Sequence, residues 1–177
     1  MYSFAAYTSP EAVQSALPQL TDAAIIENLN DTVNLFWQEE VFLHDKIAYE
    51  VQWGMRRETA NERFVNRFRG AHEFMELLME ALPQEAPGRA LAIFRQLLEQ
   101  EATPGGSTEL VAENLGGFAD SGCLDASLPL WRRALTHADP ATKETALHAA
   151  DGVLRRDDVS IPPTTRMVLQ RYIRLEF

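Results

Sequence analysis

The chain has a single cysteine, Cys123, in 177 residues. A lone thiol excludes an internal disulfide and any thiolate-based zinc site. No apolar run approaches the roughly 20 residues that a helix needs to cross a bilayer. The opening segment Met1-Tyr-Ser-Phe-Ala-Ala-Tyr7 also lacks the basic start and long apolar stretch of a secretory leader. Both absences predict a cytoplasmic chain with no membrane partner. No phosphate loop or Gly-x-Gly-x-x-Gly is present, since Gly105-Gly106 and Gly116-Gly117 lack the preceding strand that such loops require, and nucleotide binding is set aside. Glu-x-x-His, the element from which carboxylate-bridged di-metal bundles are built, occurs nowhere. Hairpin signals are missing too: the only Asp-Gly, Asp151-Gly152, falls inside a helical pattern.

What is present is charge, unevenly spread. The net charge is −10. Residues 1–45 contain seven acids and no Lys or Arg, whereas residues 46–70 contain six bases and three acids. Ten acids against two bases fill residues 71–125, and residues 126–177 return to a slight basic excess of eight over six. A phosphate backbone would be repelled by most of such a surface, which argues against nucleic acid and for a basic protein partner. At this length one continuous domain with its own core is expected over residues 1–177.

The apolar residues fall at helical spacing. Ser9 and Pro10 start a short helix that should run to about Leu20, and Thr21-Asp22 start another carrying Ile25, Ile26 and Leu29. A long stripe from Val33 through Phe36, Trp37, Val41, His44, Ile47 and Val51 predicts the longest helix, followed by one over about 57–69. The next, His72 to Leu82, is expected to break at Pro83.

From residue 86 onward the chain matches itself at a spacing of 37. Leu91, Ile93, Phe94, Arg95 and Leu98 reappear as Leu128, Leu130, Trp131, Arg132 and Leu135, and Thr108, Leu110 and Ala112 reappear as Thr145, Leu147 and Ala149. Val168, Leu169, Arg171 and Ile173 then align with Leu130, Trp131, Arg133 and Leu135 at 38. The implied helices are 89–101, 108–118, 124–137, 141–154 and 166–175. A unit of that length is a helix pair too small to bury its own apolar face, so it must stack on its neighbours. Phe94 and Trp131, with Leu98 and Leu135, are the expected core.

The segment Asp139-Pro-Ala-Thr-Lys-Glu-Thr-Ala-Leu-His-Ala-Ala150 resembles the turn and second helix of a HEAT repeat. The resemblance covers residues 86–177, lacks the Asp-Val-Arg segment typical of that family, and hardly extends to residues 1–85. It implies an all-α fold of stacked antiparallel helix pairs, a HEAT-like solenoid preceded by an N-terminal helical bundle, with a face that holds another macromolecule.

Several residues carry candidate chemistry. Glu40 and His44 share a helix face and could hold a metal, yet His44 lies on the apolar stripe, which favours a partly buried histidine. His72 and Glu76 repeat that spacing on an acidic, solvated helix. Arg56, Arg63 and Arg67 form a basic stripe best read as pairing with nearby acids. His137 sits in a last helical turn, His148 on an exposed face, and Cys123 at an inter-helix turn with no histidine near it in sequence. No catalytic pairing follows from these spacings, so no enzymatic activity and no cofactor are expected. Glu99, Glu101, Glu109, Glu113, Asp120 and Asp125, by contrast, recur at helix ends and turns where packing does not require them.

These six acids are therefore the expected contact set of a non-enzymatic module that holds a basic protein. Its most concrete form is a bacterial immunity protein neutralising a toxin. A metal protein or enzyme centred on Glu40 and His44 is one alternative, and a structural subunit of a larger assembly is another.

Overall fold

The computed structural model describes residues 9–27, 29–30, 73, 76–99 and 107–176, and these divide between two compact units, Met1–Leu78 and Met79–Phe177. Every regular element among the described residues is helical. No helix among them is long and apolar enough to cross a membrane.

In the first unit, α1 spans Pro10–Ala16. Ser9 caps it, its Oγ accepting from the Ala12 N–H at 3.2 Å, and Pro10 occupies the first turn, where its missing N–H costs nothing. The helix expected to reach Leu20 stops at Ala16 and tightens into a 3-10 turn over Leu17–Gln19. Pro18 explains the change, because it has no N–H to continue the α-helical ladder. Thr21 then caps a fresh helical run over 22–27, accepting from the Ala24 N–H at 3.2 Å. Val13, Ala16, Leu17, Ile25, Ile26 and Leu29 are buried. The stripe from Val33 to Val51, with Glu40 and His44, lies outside the described residues, as do the 57–69 helix and His72.

The second unit begins with helical residues 79–85, and here Pro83 does not break the helix as expected. The helix runs through it to residue 85, with Ala86 N–H donating to Leu82 O at 3.0 Å. The buried proline ring is seated on Gly117, where a Cβ would lie 3.1 Å from Pro83 Cβ, so only glycine permits the approach without movement. Six helices follow: α2 Pro87–Glu99, α3 Ser107–Asn114, α4 Gly117–Asp120, α5 Leu128–Leu135, α6 Pro140–Leu154 and α7 Pro163–Glu176.

The helix expected over 108–118 is divided into α3 and α4. Gly116 and Gly117 weaken helix continuity, and 3-10-type bonds, such as Phe118 N–H to Leu115 O at 3.3 Å, make the corner. α4 ends in a Schellman motif. Gly122 adopts φ 67°, its N–H donates to Ala119 O at 3.2 Å, and Cys123 N–H donates to Phe118 O at 2.9 Å. Cys123 is accordingly a half-buried turn residue and a free thiol.

α2 packs on α5, and α5 on α7; α3 packs on α6, with further contacts of α2 on α3, α5 on α6 and α6 on α7. The run of contacts through α2, α5 and α7 is the first layer, and the pair α3 and α6 is the second. In the first layer the 37-residue match reproduces the burial pattern: Ile93, Phe94, Leu97 and Leu98 are buried, as are Leu130, Trp131, Ala134 and Leu135. Phe94 meets Phe118 edge to face, with ring centroids 5.7 Å apart, a geometry worth about 0.5–1.5 kcal/mol beyond burial. In the second layer the correspondence falls elsewhere. Val111, Ala112, Leu115 and Phe118 match Ala146, Leu147, Ala150 and Val153 in burial, at a spacing of 35. Thr108 and Ala112 are buried while Thr145 and Ala149 are only half-buried, so the expected pairing at 37 is displaced by two residues.

Candidate functional site

The six acids proposed as a contact set occupy different environments. Glu99 is exposed in the last turn of α2 and Glu113 is exposed on α3, and neither has a hydrogen-bond or ion-pair partner among the described residues. Glu109, one turn before Glu113 on the same face of α3, is half-buried and accepts from Thr145 Oγ1 of α6 at 3.5 Å. Glu101 lies outside the described residues.

Asp120 and Asp125 join neighbouring helices. The Asp120 carboxylate accepts from Arg156 Nη2 at 2.6 Å, and the same nitrogen reaches Asp158 at 2.7 Å. The bonds to Asp158 and then to Asp120 hold the Arg156 guanidinium firmly protonated, and Arg156 holds Asp158 below the ordinary carboxylate range. Asp125 accepts from Thr165 Oγ1 of α7 at 2.6 Å, fixing the start of that helix. Glu99 and Glu113 are thus exposed, whereas Glu109, Asp120 and Asp125 each bond to a neighbouring element.

A polar chain that spacing did not reveal runs through the second layer. Asp139 caps α6, its Oδ2 accepting from Thr142 N–H at 2.9 Å and from Thr142 Oγ1 at 2.6 Å. Thr142 thus commits its hydroxyl proton to Asp139, so at the 2.8 Å contact between the two hydroxyls Thr108 is the donor. Both threonines are buried. The Thr142 hydroxyl is the main reason that the Asp139 carboxyl is held below its ordinary range. A signal was present in the sequence, since Asp-Pro-x-Thr is a capping pattern, but Thr108 shows no sign of its partner 34 residues away.

The histidines are dispersed. His137 Nδ1 accepts from Asp139 N–H at 3.2 Å, and exposed His148 lies 3.8 Å from Glu144 one turn earlier. Among the described residues no three His, Cys, Asp or Glu side chains are grouped to hold a metal ion.

The helices themselves divide by charge. α2, α5 and α7 carry Arg89, Arg95, Arg132, Arg133, Arg166, Arg171 and Arg174 against Glu99 and Glu176. α3 and α6 carry Glu109, Glu113, Glu144 and Asp151 against Lys143, with Arg155 at the end of α6 paired to Asp151 at 2.6 Å. One layer is basic and the other acidic, although the sequence as a whole is strongly acidic. No protein-family model, curated protein or solved structure matches the chain.

Proposed function

We propose that residues 79–177 form a protein-binding module of stacked helix pairs whose acidic layer holds a basic protein partner. The single observation that supports this reading is the segregation of charge by layer. Glu113 and Glu144 are exposed on α3 and α6 with no Lys or Arg partner among the described residues, Asp151 is paired with Arg155 at 2.6 Å, and the longest row of arginines lies on α2, α5 and α7. A surface whose countercharges are placed elsewhere in the fold keeps its field for an incoming partner, raising the encounter rate and disfavouring acidic competitors. Glu113 and Glu144 are the exposed anchors of the layer, with half-buried Glu109 between the two helices. The repeat organisation rests on the matched burial of Phe94 with Trp131 and of Leu98 with Leu135. An immunity protein that occupies a basic toxin is the concrete biological form of this reading.

The test is a capture experiment at low salt with the native chain and with Glu113→Lys/Glu144→Lys, followed by measurement of the association rate for the captured protein. The reversal should slow association by about tenfold or more, with a steep salt dependence in the native chain. Stability should shift by no more than about 1 kcal/mol, as for exposed charges generally. A partner that binds both proteins equally, at every salt concentration, would refute the acidic layer as its docking surface.

A further inference from the structure

In register on adjacent helices, the exposed arginines of the first layer form a band. Arg95 of α2 corresponds to Arg132 of α5 at the same spacing as Phe94 to Trp131, and Arg133 of α5 corresponds to Arg171 of α7 at the spacing of Trp131 to Leu169. Arg174 lies one turn beyond Arg171 on the same face. Arg133 donates from Nε to Leu98 O at 3.3 Å. The side chains of Arg95, Arg132, Arg171 and Arg174 make no hydrogen bond or ion pair among the described residues.

We infer that this basic layer docks the acidic layer of a second copy of the same chain. Two observations select that occupant. The layers of one molecule are opposite in sign, so a copy supplies both the charge and the complement. One carboxylate also recurs from helix to helix: half-buried Glu109 of α3 corresponds to exposed Glu144 of α6 at the spacing that relates Val111 to Ala146, just as Arg95 corresponds to Arg132. Adjacent helices in both layers are packed neighbours, so arginines on neighbouring helices of one copy can face carboxylates on neighbouring helices of the next.

Because the surfaces used are different on the two copies, the contact is heterologous and extends into chains of copies unless rotation closes a ring. It also rests on the reading of the acidic layer given above, since a basic partner and a second copy would compete for Glu113 and Glu144. Each exposed charge pair contributes little by itself, so the association is concentration-dependent and sensitive to salt.

The experiment is sedimentation equilibrium of the full-length protein at about 20 mM and about 500 mM salt, conditions between which screening lengths fall severalfold. The native chain should exceed its 19.9 kDa monomer mass at low salt and return to it at high salt. Arg95→Glu/Arg132→Glu/Arg171→Glu should remain monomeric in both, and so should Glu113→Lys/Glu144→Lys. Mixed together, the two reversed proteins should associate again, because each now offers the complement of the other's altered layer. Circular dichroism of each variant, with the neutral set Arg95→Gln/Arg132→Gln/Arg171→Gln, separates lost docking from lost folding. A native chain that is monomeric at low salt up to about millimolar concentration, or association that is indifferent to salt and to both reversals, would overturn the inference. Binding of immobilised poly-lysine by the native chain but not by Glu113→Lys/Glu144→Lys is the separate readout of the acidic layer, and it can succeed where self-association fails.

Discussion

Replacing Trp131 in two steps tests the packing of the first layer quantitatively. Trp131 is 0 % exposed, and its indole Nε1 is the buried side-chain polar atom without a hydrogen-bond partner among the described residues. Truncating a buried aromatic to alanine costs about 3–5 kcal/mol, but a buried, unsatisfied N–H already costs the native protein about 1–3 kcal/mol. Trp131→Ala should therefore sit near the lower end, at about 3 kcal/mol. Trp131→Phe removes the same N–H while giving up two or three methylene equivalents, at roughly 0.8 kcal/mol each. These effects nearly cancel, and the expected loss is below about 1 kcal/mol. Phe94 fills the equivalent position on α2, which shows that a phenyl ring suits this site in the layer. Urea unfolding followed by far-ultraviolet circular dichroism, with an unchanged slope, measures both values. A loss above about 2 kcal/mol for Trp131→Phe would mean that the indole N–H has a partner in solution, such as a buried water.

The polar chain across the second layer makes two further predictions. Thr142→Val strands the buried Thr108 hydroxyl and removes a ligand of Asp139, so it should cost about 1–3 kcal/mol, whereas Thr108→Val should cost less because Thr142 keeps its acceptor. The double variant should cost less than the sum of the two, and strict additivity in the unfolding cycle would argue against the contact. Asp139, held below its ordinary range by Thr142, contributes stability that is fully present above the unfolded value of about 3.9 and is lost as pH falls through the lowered folded value. Acid titration of stability should thus be steeper for the native chain than for Asp139→Asn; matching slopes would remove Asp139 from the acid response.

Legibility in the sequence followed the range of the interaction concerned. The helices of the first layer and their core residues were readable because Phe94, Trp131, Leu98 and Leu135 repeat within a single helical stripe, and Ser9, Thr21 and Asp139 announce their helices by local capping chemistry. Pro83 misled because its helix-breaking tendency is a local rule, and here a buried ring seated on Gly117 accompanies an unbroken helix. The roles of Asp120 and Asp125 were hidden for a related reason. Their partners, Arg156 and Thr165, lie 36 and 40 residues away, and a carboxylate looks the same in sequence whether it faces solvent or a guanidinium.

The two layers keep different residue counts per repeat, 37 between α2 and α5 but 35 between α3 and α6. Helix packing tolerates this because only the faces must match, and the surplus falls between helices: α2 ends at Glu99 and α3 begins at Ser107, whereas α5 ends at Leu135 and α6 begins at Pro140. Length in this chain is therefore a property of its connections, and it is there that residues could be added or removed while both stripes of buried side chains stay in step. A search that assumes one fixed period would align the first layer and place every residue of the second on the wrong side of its helix.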